Sequence, residues 1–225
     1  MKWRRMPLGP IQTNAYILSH DDGTCLIFDP GSESGKLNAY IKEKGLKPLA
    51  VLLTHAHFDH IGAVDNVRKE WNIPVYVHKN EAEWLIDPSL NGSALLTGQT
   101  ITAEKADHLI EEEGDLKIGS FTLRMLFTPG HSPGSISYYV EEENLIVSGD
   151  VLFQGGIGRT DLPGGNQQVL MDSIHQKLLT LPEETLVLSG HGPETDIATE
   201  QEKNPFINGV TKENIKKTIP MDRLF

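Results

Sequence analysis

The stretch Leu53-Thr54-His55-Ala56-His57-Phe58-Asp59-His60-Ile61-Gly62 decides how this chain folds. It follows Leu49 to Leu53, a continuous apolar run of the kind that forms a strand buried on both faces. It runs into Ile61 to Trp71, whose pattern predicts a helix. Three of the nine histidines fall within it. Side chains repeat every second residue in extended backbone, so His55, His57 and Asp59 are expected on one side. A turn at Asp59 would then bring His60 round to the same cavity. Neutral imidazole and carboxylate are the usual ligands of zinc, manganese and iron. The plainer reading is a polar turn with Asp59 capping a helix. It would bury four such groups together with nothing to offset their desolvation.

Working outward, three further positions share this setting. His131 stands in Thr128-Pro129-Gly130-His131-Ser132-Pro133-Gly134, Asp150 in Ser148-Gly149-Asp150, and His191 in Ser189-Gly190-His191-Gly192-Pro193. Each follows a predicted strand, and the flanking glycines permit close backbone packing or positive φ. Four chain segments thus place ligand-type groups at strand ends. His20, His108 and His175 lack such surroundings and are expected at the surface or on helices. His78 ends a strand without ligand-like neighbours.

The remaining pattern alternates strands and helices. Asn14 to Leu18 and Thr24 to Phe28 read as strands joined by the turn Asp21-Asp22-Gly23, and Asp29-Pro30-Gly31 ends the second. Ser34 to Lys44 reads as a helix closed by Gly45. Pro74 to Val77 is a strand and Glu81 to Ile86 a short helix. From Asp87 to about Ala103 the pattern dissolves into a long loop, either a lid or a variable insertion. Phe121 to Phe127, Ser135 to Val140, Leu145 to Ser148 and Leu186 to Leu188 read as strands, and Val169 to Leu179 as a helix. Thr195 to Glu202 and Lys212 to Lys217 read as terminal helices. With no Pro- or Ser-rich linker between the halves, residues 1–225 are expected to form a single domain. Two strand-then-helix halves packed sheet on sheet, helices outside, would make an α/β four-layer αββα sandwich.

Composition narrows the class. A net charge of −11 disfavours a nucleic-acid partner, although bound metal would add positive charge locally. The single cysteine, Cys25, permits no intramolecular disulfide and lies in an apolar run, which makes it a core residue. The basic start Met-Lys-Trp-Arg-Arg-Met-Pro lacks a following apolar stretch and reads as a solvated terminus rather than a secretory signal. No run is long enough to span a bilayer. A cytoplasmic protein with no membrane partner is expected. Oligomeric state is not encoded legibly.

With these residues in view, the chain resembles the metallo-β-lactamase-fold superfamily. The ordered set His-x-His-x-Asp-His, then His, Asp and His, carries the resemblance. Within the superfamily it is similar to the glyoxalase II-like hydrolases, especially short single-domain bacterial members. The resemblance implies the αββα fold and two divalent metal ions, zinc above all, with iron or manganese as alternatives. It implies that His55, His57 and His131 hold one metal, that Asp59, His60 and His191 hold the other, and that Asp150 bridges them. It further implies that Asp29 supports a ligand from behind. The activity implied is hydrolysis of a small-molecule thioester, of the 2-hydroxyacylglutathione kind. The nucleophile is a hydroxide shared by the metals and oriented by Asp59 and Asp150, and Arg159 contacts a substrate carboxylate. Two departures bear on the thiol carrier. Only a short tail follows His191, where two-domain relatives add a glutathione-gripping extension. Asp161 stands where those relatives have a tyrosine. Gly158-Arg159-Thr160-Asp161 also resembles the matching stretch of persulfide dioxygenases of the same fold. Those hold a single iron through the residues matching His55, His131 and Asp150. Nothing in the sequence points specifically to β-lactams or to a nuclease. A non-catalytic binding protein would be expected to have lost ligands, and none is missing.

Overall fold

The computed structural model describes residues 1–208. The helix expected over 212–217 lies outside them. The first half contributes β1 (Lys2–Leu8), β2 (Thr13–Ser19), β3 (Thr24–Phe28), α1 (Ser34–Glu43), β4 (Lys47–Leu52), α2 (Phe58–Ile61), α3 (Val64–Trp71) and β5 (Val75–His78). A 3₁₀ segment (Lys79–Leu85), α4 (Ser93–Thr97) and β6 (His108–Ile110) complete it. The second half holds β7 (Gly114–Ile118), β8 (Phe121–Phe127), β9 (Ile136–Val140), β10 (Leu145–Gly149) and the small hairpin β11 (Leu152–Phe153) and β12 (Gly156–Ile157). It closes with α5 (Gln167–Ser173), which runs on as a π turn over Ile174–Leu178, then β13 (Leu186–Ser189), β14 (Thr195–Asp196) and α6 (Ile197–Lys203).

Two six-stranded sheets form, in the orders β1-β2-β3-β4-β5-β6 and β14-β13-β10-β9-β8-β7. The central strands are buried on both faces, their residues alternating between the two. In β3, Leu26 and Phe28 face the opposing sheet, while Cys25 and Ile27 face the helices. In β10, Leu145 and Val147 face inward, while Ile146 joins Leu170, Ile174 and Ile197 under α5, the π turn and α6. The helix-side core of the first half gathers Leu37 and Ile41 of α1 with Val64 and Val67 of α3. The expected helix–sheet–sheet–helix layering is therefore the observed one. Cys25 is fully buried, and burial pushes its thiol up to about 12, as befits a core residue.

Several local expectations are corrected. The charged start is not a free terminus: Lys2–Leu8 pairs antiparallel with β2 along its whole length. Lys2, Trp3 and Arg4 are exposed while Met6 and Leu8 are buried, so the strand signal is masked by the charges common on sheet edges. The helix expected over 61–71 starts earlier, at Phe58, and breaks between Ile61 and Val64. At the break Ala63 N–H donates to Pro30 O at 2.9 Å, so the backbone leaves the helical ladder to bind the Asp29-Pro30-Gly31 turn. The 87–103 loop contains the short α4, and β6 and β7 had no sequence signal. Thr195 begins a two-residue edge strand rather than a helix, with Asp196 capping α6. No helix among the described residues is long and apolar enough to cross a membrane.

Candidate metal centre

The strands deliver the chemistry at one end of the two sheets. β4 ends into His55 and His57; α2 carries Asp59 and His60; His131 lies between β8 and β9; Asp150 follows β10; His191 follows β13. The expected alternation of His55, His57 and Asp59 in extended backbone does not hold throughout. His57 is the N-cap of α2, so Asp59 and His60 are adjacent helical residues. The helical turn still sends both to the cavity that receives the other five.

The donors form compact groups of three, and a third, Asp29 with His55 and His60, links the two described next. One ligand atom each from His55, His57 and His131 lie within 4.8 Å of one another, as do those of Asp59, His60 and His191. Asp150 stands between: Oδ1 is 3.5 Å from His60 Nε2, and Oδ2 is 3.4 Å from His191 Nε2 and 3.6 Å from His131 Nε2.

The surroundings settle which nitrogen faces inward. Asp29 accepts from Thr54 N–H at 2.8 Å, from the Thr54 hydroxyl at 2.6 Å and from His60 Nδ1 at 3.0 Å. Having donated to Asp29, the Thr54 hydroxyl accepts from His55 Nδ1 at 3.1 Å. His131 Nδ1 donates to the Arg159 carbonyl at 2.8 Å. His55, His60 and His131 therefore present unprotonated or exchangeable Nε2 atoms to the centre, an arrangement that fixes ring orientation for metal binding. His57 Nδ1 meets His131 Nε2 at 2.9 Å. Thr13 donates to Asp59 Oδ2 at 2.7 Å. Gly190 permits the approach, because a Cβ there would lie 2.0 Å from Asp150 Oδ1 and 2.9 Å from His60 Cε1.

Electrostatics divide the same groups. Burial lowers His57 to about 3, with His131 adding to the effect, and takes His55 well below its usual value. Burial also works against charge on His191, but Asp150 and Asp59 outweigh it and lift this group to about 10. Burial opposes ionisation of Asp59 and Asp150, and the neighbouring imidazoles nevertheless hold both below the carboxylate range. A divalent cation suits this donor set. Buried His55 Nε2, His60 Nε2 and Asp150 Oδ1, all facing the centre, have no hydrogen-bond partner. Such atoms otherwise carry an unreturned desolvation cost.

Other expected residues lie elsewhere or act differently. Arg159 reaches the site through its carbonyl; its guanidinium forms a two-pronged pair with Asp161, both contacts at 2.8 Å. His78 is away from the centre, stacked on Phe127 at 4.6 Å. His20 lies tilted against Phe121, and His108 stacks on Tyr76. Sequence reasoning missed Trp84, whose ring lies 5.5 Å from that of His57, and the buried Glu81. It also missed Asn91, whose carbonyl accepts from Phe58 N–H at 3.1 Å and ties the 87–103 loop to α2. Nothing in their sequence neighbourhoods signals these contacts, which arise between segments distant along the chain.

The metallo-beta-lactamase superfamily model matches residues 8–191. The chain belongs to this superfamily. It is 71% identical over 209 residues to a probable metallo-hydrolase, YqgX, of Bacillus subtilis strain 168, covering 93% of this chain and 99% of that protein. It is 37% identical over 205 residues to the hydroxyacylglutathione hydrolase GloC of Haemophilus influenzae, covering 90% and 96%. Among solved structures, the BLEG-1 B3 metallo-beta-lactamase is 57% identical with a TM-score of 0.91, over 92% of this chain and all 100% of that one. TTHA1623, solved in a di-iron-bound form, is 41% identical with a TM-score of 0.78, over 90% and 99%. ETHE1 from Myxococcus xanthus is 28% identical with a TM-score of 0.78, over 98% and 93%. The superfamily and the clustered imidazoles and carboxylates together imply a metallo-hydrolase that uses divalent metal ions.

Proposed function

We propose that this metallo-hydrolase cleaves a small-molecule 2-hydroxyacyl thioester using two divalent ions, zinc first among the candidates. His55, His57 and His131 would hold one ion and Asp59, His60 and His191 the other, with Asp150 shared. The carrying observation is the position of Asp150, within 3.6 Å of an imidazole from each group. The similarity to GloC supports the thioester, and the di-iron form of TTHA1623 supports the pair of ions. Bound in such a pair, ions of this type make hydroxide available near neutral pH and polarise a carbonyl oxygen.

The chain's own residues do the rest. Asp59 Oδ2, held by the Thr13 hydroxyl, and Asp150 are the acceptors that orient the attacking water. The new C–O bond forms at the acyl carbon, the C–S bond breaks, and the thiol portion leaves as a thiolate. A thiolate is weakly basic, so departure asks for no strong general acid. Trp84 lies beside His57, and it and Pro133 both pack against Gly164. Arg159 is the contact for a substrate carboxylate, which must compete with Asp161 for the guanidinium. The buried free thiol of Cys25 accords with a cytoplasmic setting.

A second reading, oxygenation of a persulfide at a single iron, draws on the similarity to ETHE1 and on the Gly158-Arg159-Thr160-Asp161 stretch. The experiment is metal quantification on natively purified protein, with assays of acyl thioesters, glutathione persulfide under oxygen, and a β-lactam on the same sample. Two ions with thioester turnover is the expected outcome. A metal-loaded protein inert towards the whole thioester panel refutes the proposal.

A further inference from the structure

Glu81 is fully buried, lies outside both groups of donors, and has no part in the chemistry above. Its two oxygens reach different loops. Oε2 accepts from Ala56 N–H at 2.5 Å, and Oε1 accepts from Gly134 N–H at 2.7 Å. Gly134 closes the short loop that begins at His131, in which the Ser132 and Ser135 hydroxyls pair at 2.7 Å. Ala56 separates His55 from His57, and Ser132 follows His131 directly. One carboxylate thus straps together the two loops that carry all three imidazoles of one group. Three residues on, Trp84 of the same 3₁₀ segment lays its ring beside His57. Asp59 and His60 are held by other residues: Thr13 bonds Asp59, and Asp29 bonds His60.

We infer that Glu81 is a positioning residue that sets the spacing of His55, His57 and His131, and hence the metal affinity of that site but not of its neighbour. A buried carboxylate with neutral donors costs desolvation and is sustained by these two backbone bonds. Outer partners of ligand loops typically change metal affinity about 10–100-fold when altered. The inference rests on the assignment of His55, His57 and His131 to one ion. It is independent of the thioester, and its test uses no substrate.

Glu81→Gln keeps the volume and replaces one acceptor by a donor, so one of the two straps must break. The change is introduced on a His191→Ala background, which leaves the His55 site intact, and on a His57→Ala background, which leaves the His60 site intact. Zinc affinity is then measured by competition with a chromophoric chelator. The expected result is a loss of about 10–100-fold on the first background and under about threefold on the second. Equal losses on both backgrounds, or no loss on the first, overturn the inference. Should Glu81→Gln fail to fold, Gly134→Ala serves instead, because its Cβ would sit 2.8 Å from Glu81 Cγ and displace the strap. The same selective loss is expected, and the same two outcomes would refute it.

Discussion

Acidification is expected to weaken metal uptake by Asp59, His60 and His191 while leaving uptake by His55, His57 and His131 unchanged around neutrality. His191 Nε2 lies 3.2 Å from Asp59 Oδ2 and 3.4 Å from Asp150 Oδ2. Against the cost of burial, Asp150 and Asp59 lift it to about 10. His60 is raised likewise by Asp59, Asp150 and Asp29, again against burial. A metal ligand must be neutral, so an ion entering this group expels the proton. A group with a raised pKa stays protonated at every pH below it. Affinity therefore rises with pH, about tenfold per unit or ~1.4 kcal/mol for each proton expelled, as far as the value of about 10 at His191. At neutral pH, below that value, the protons on His191 and His60 compete with the ion and weaken its binding. The other group has the opposite sign. Burial lowers His57 to about 3, and His55 and His131 also fall. These rings are already neutral and release nothing. Calorimetric titration of the His57→Ala and His191→Ala variants, in buffers of different ionisation enthalpy between roughly pH 6 and 9, reads the protons directly. At least one proton per ion is expected for the former and none for the latter. Binding at the His60 site that ignores pH, or a steeper slope at the His55 site, would refute this account.

Three further outcomes are expected. Asp29→Asn sets a donor against Thr54 or His60, at a cost of about 1–3 kcal/mol for the unmet group, so the thermal midpoint should fall by several degrees and second-ion content should drop; unchanged values of both count against the role of Asp29. Gly190→Ala drives a methyl into Asp150 Oδ1 and should yield a folded protein, by circular dichroism, that purifies with less than its full metal complement; full occupancy contradicts the geometry. Asp161→Asn releases the Arg159 guanidinium and should lower KM several-fold for thioesters bearing a carboxylate, with kcat and neutral thioesters little changed. Equal KM values for the acidic substrate before and after would remove Arg159 from substrate recognition.

The elements that form the buried layers were legible because burial on both faces leaves continuous apolar runs such as Leu49 to Leu53 and Leu145 to Ser148. The donors were legible because seven ligand-type residues recur at strand ends in four segments. β1 was not, since Arg4 and Arg5 at a sheet edge look like solvated charge. The break between α2 and α3 was not, since it depends on Ala63 N–H finding Pro30 O, a partner 33 residues away.

Residue identity by itself marked which atoms could bind a cation and where strands and helices alternate, and the four layers came with the resemblance those residues carry. Only the tertiary structure showed how near Asp150 stands to His60, His131 and His191, which imidazole nitrogen points inward, and that Arg159 is engaged by Asp161. It alone brought Glu81 between the Ala56 and Gly134 loops. Apolar periodicity is a local property of the chain. Hydrogen-bond partners and the charge felt by a buried imidazole depend on distances between segments that meet only in the folded molecule.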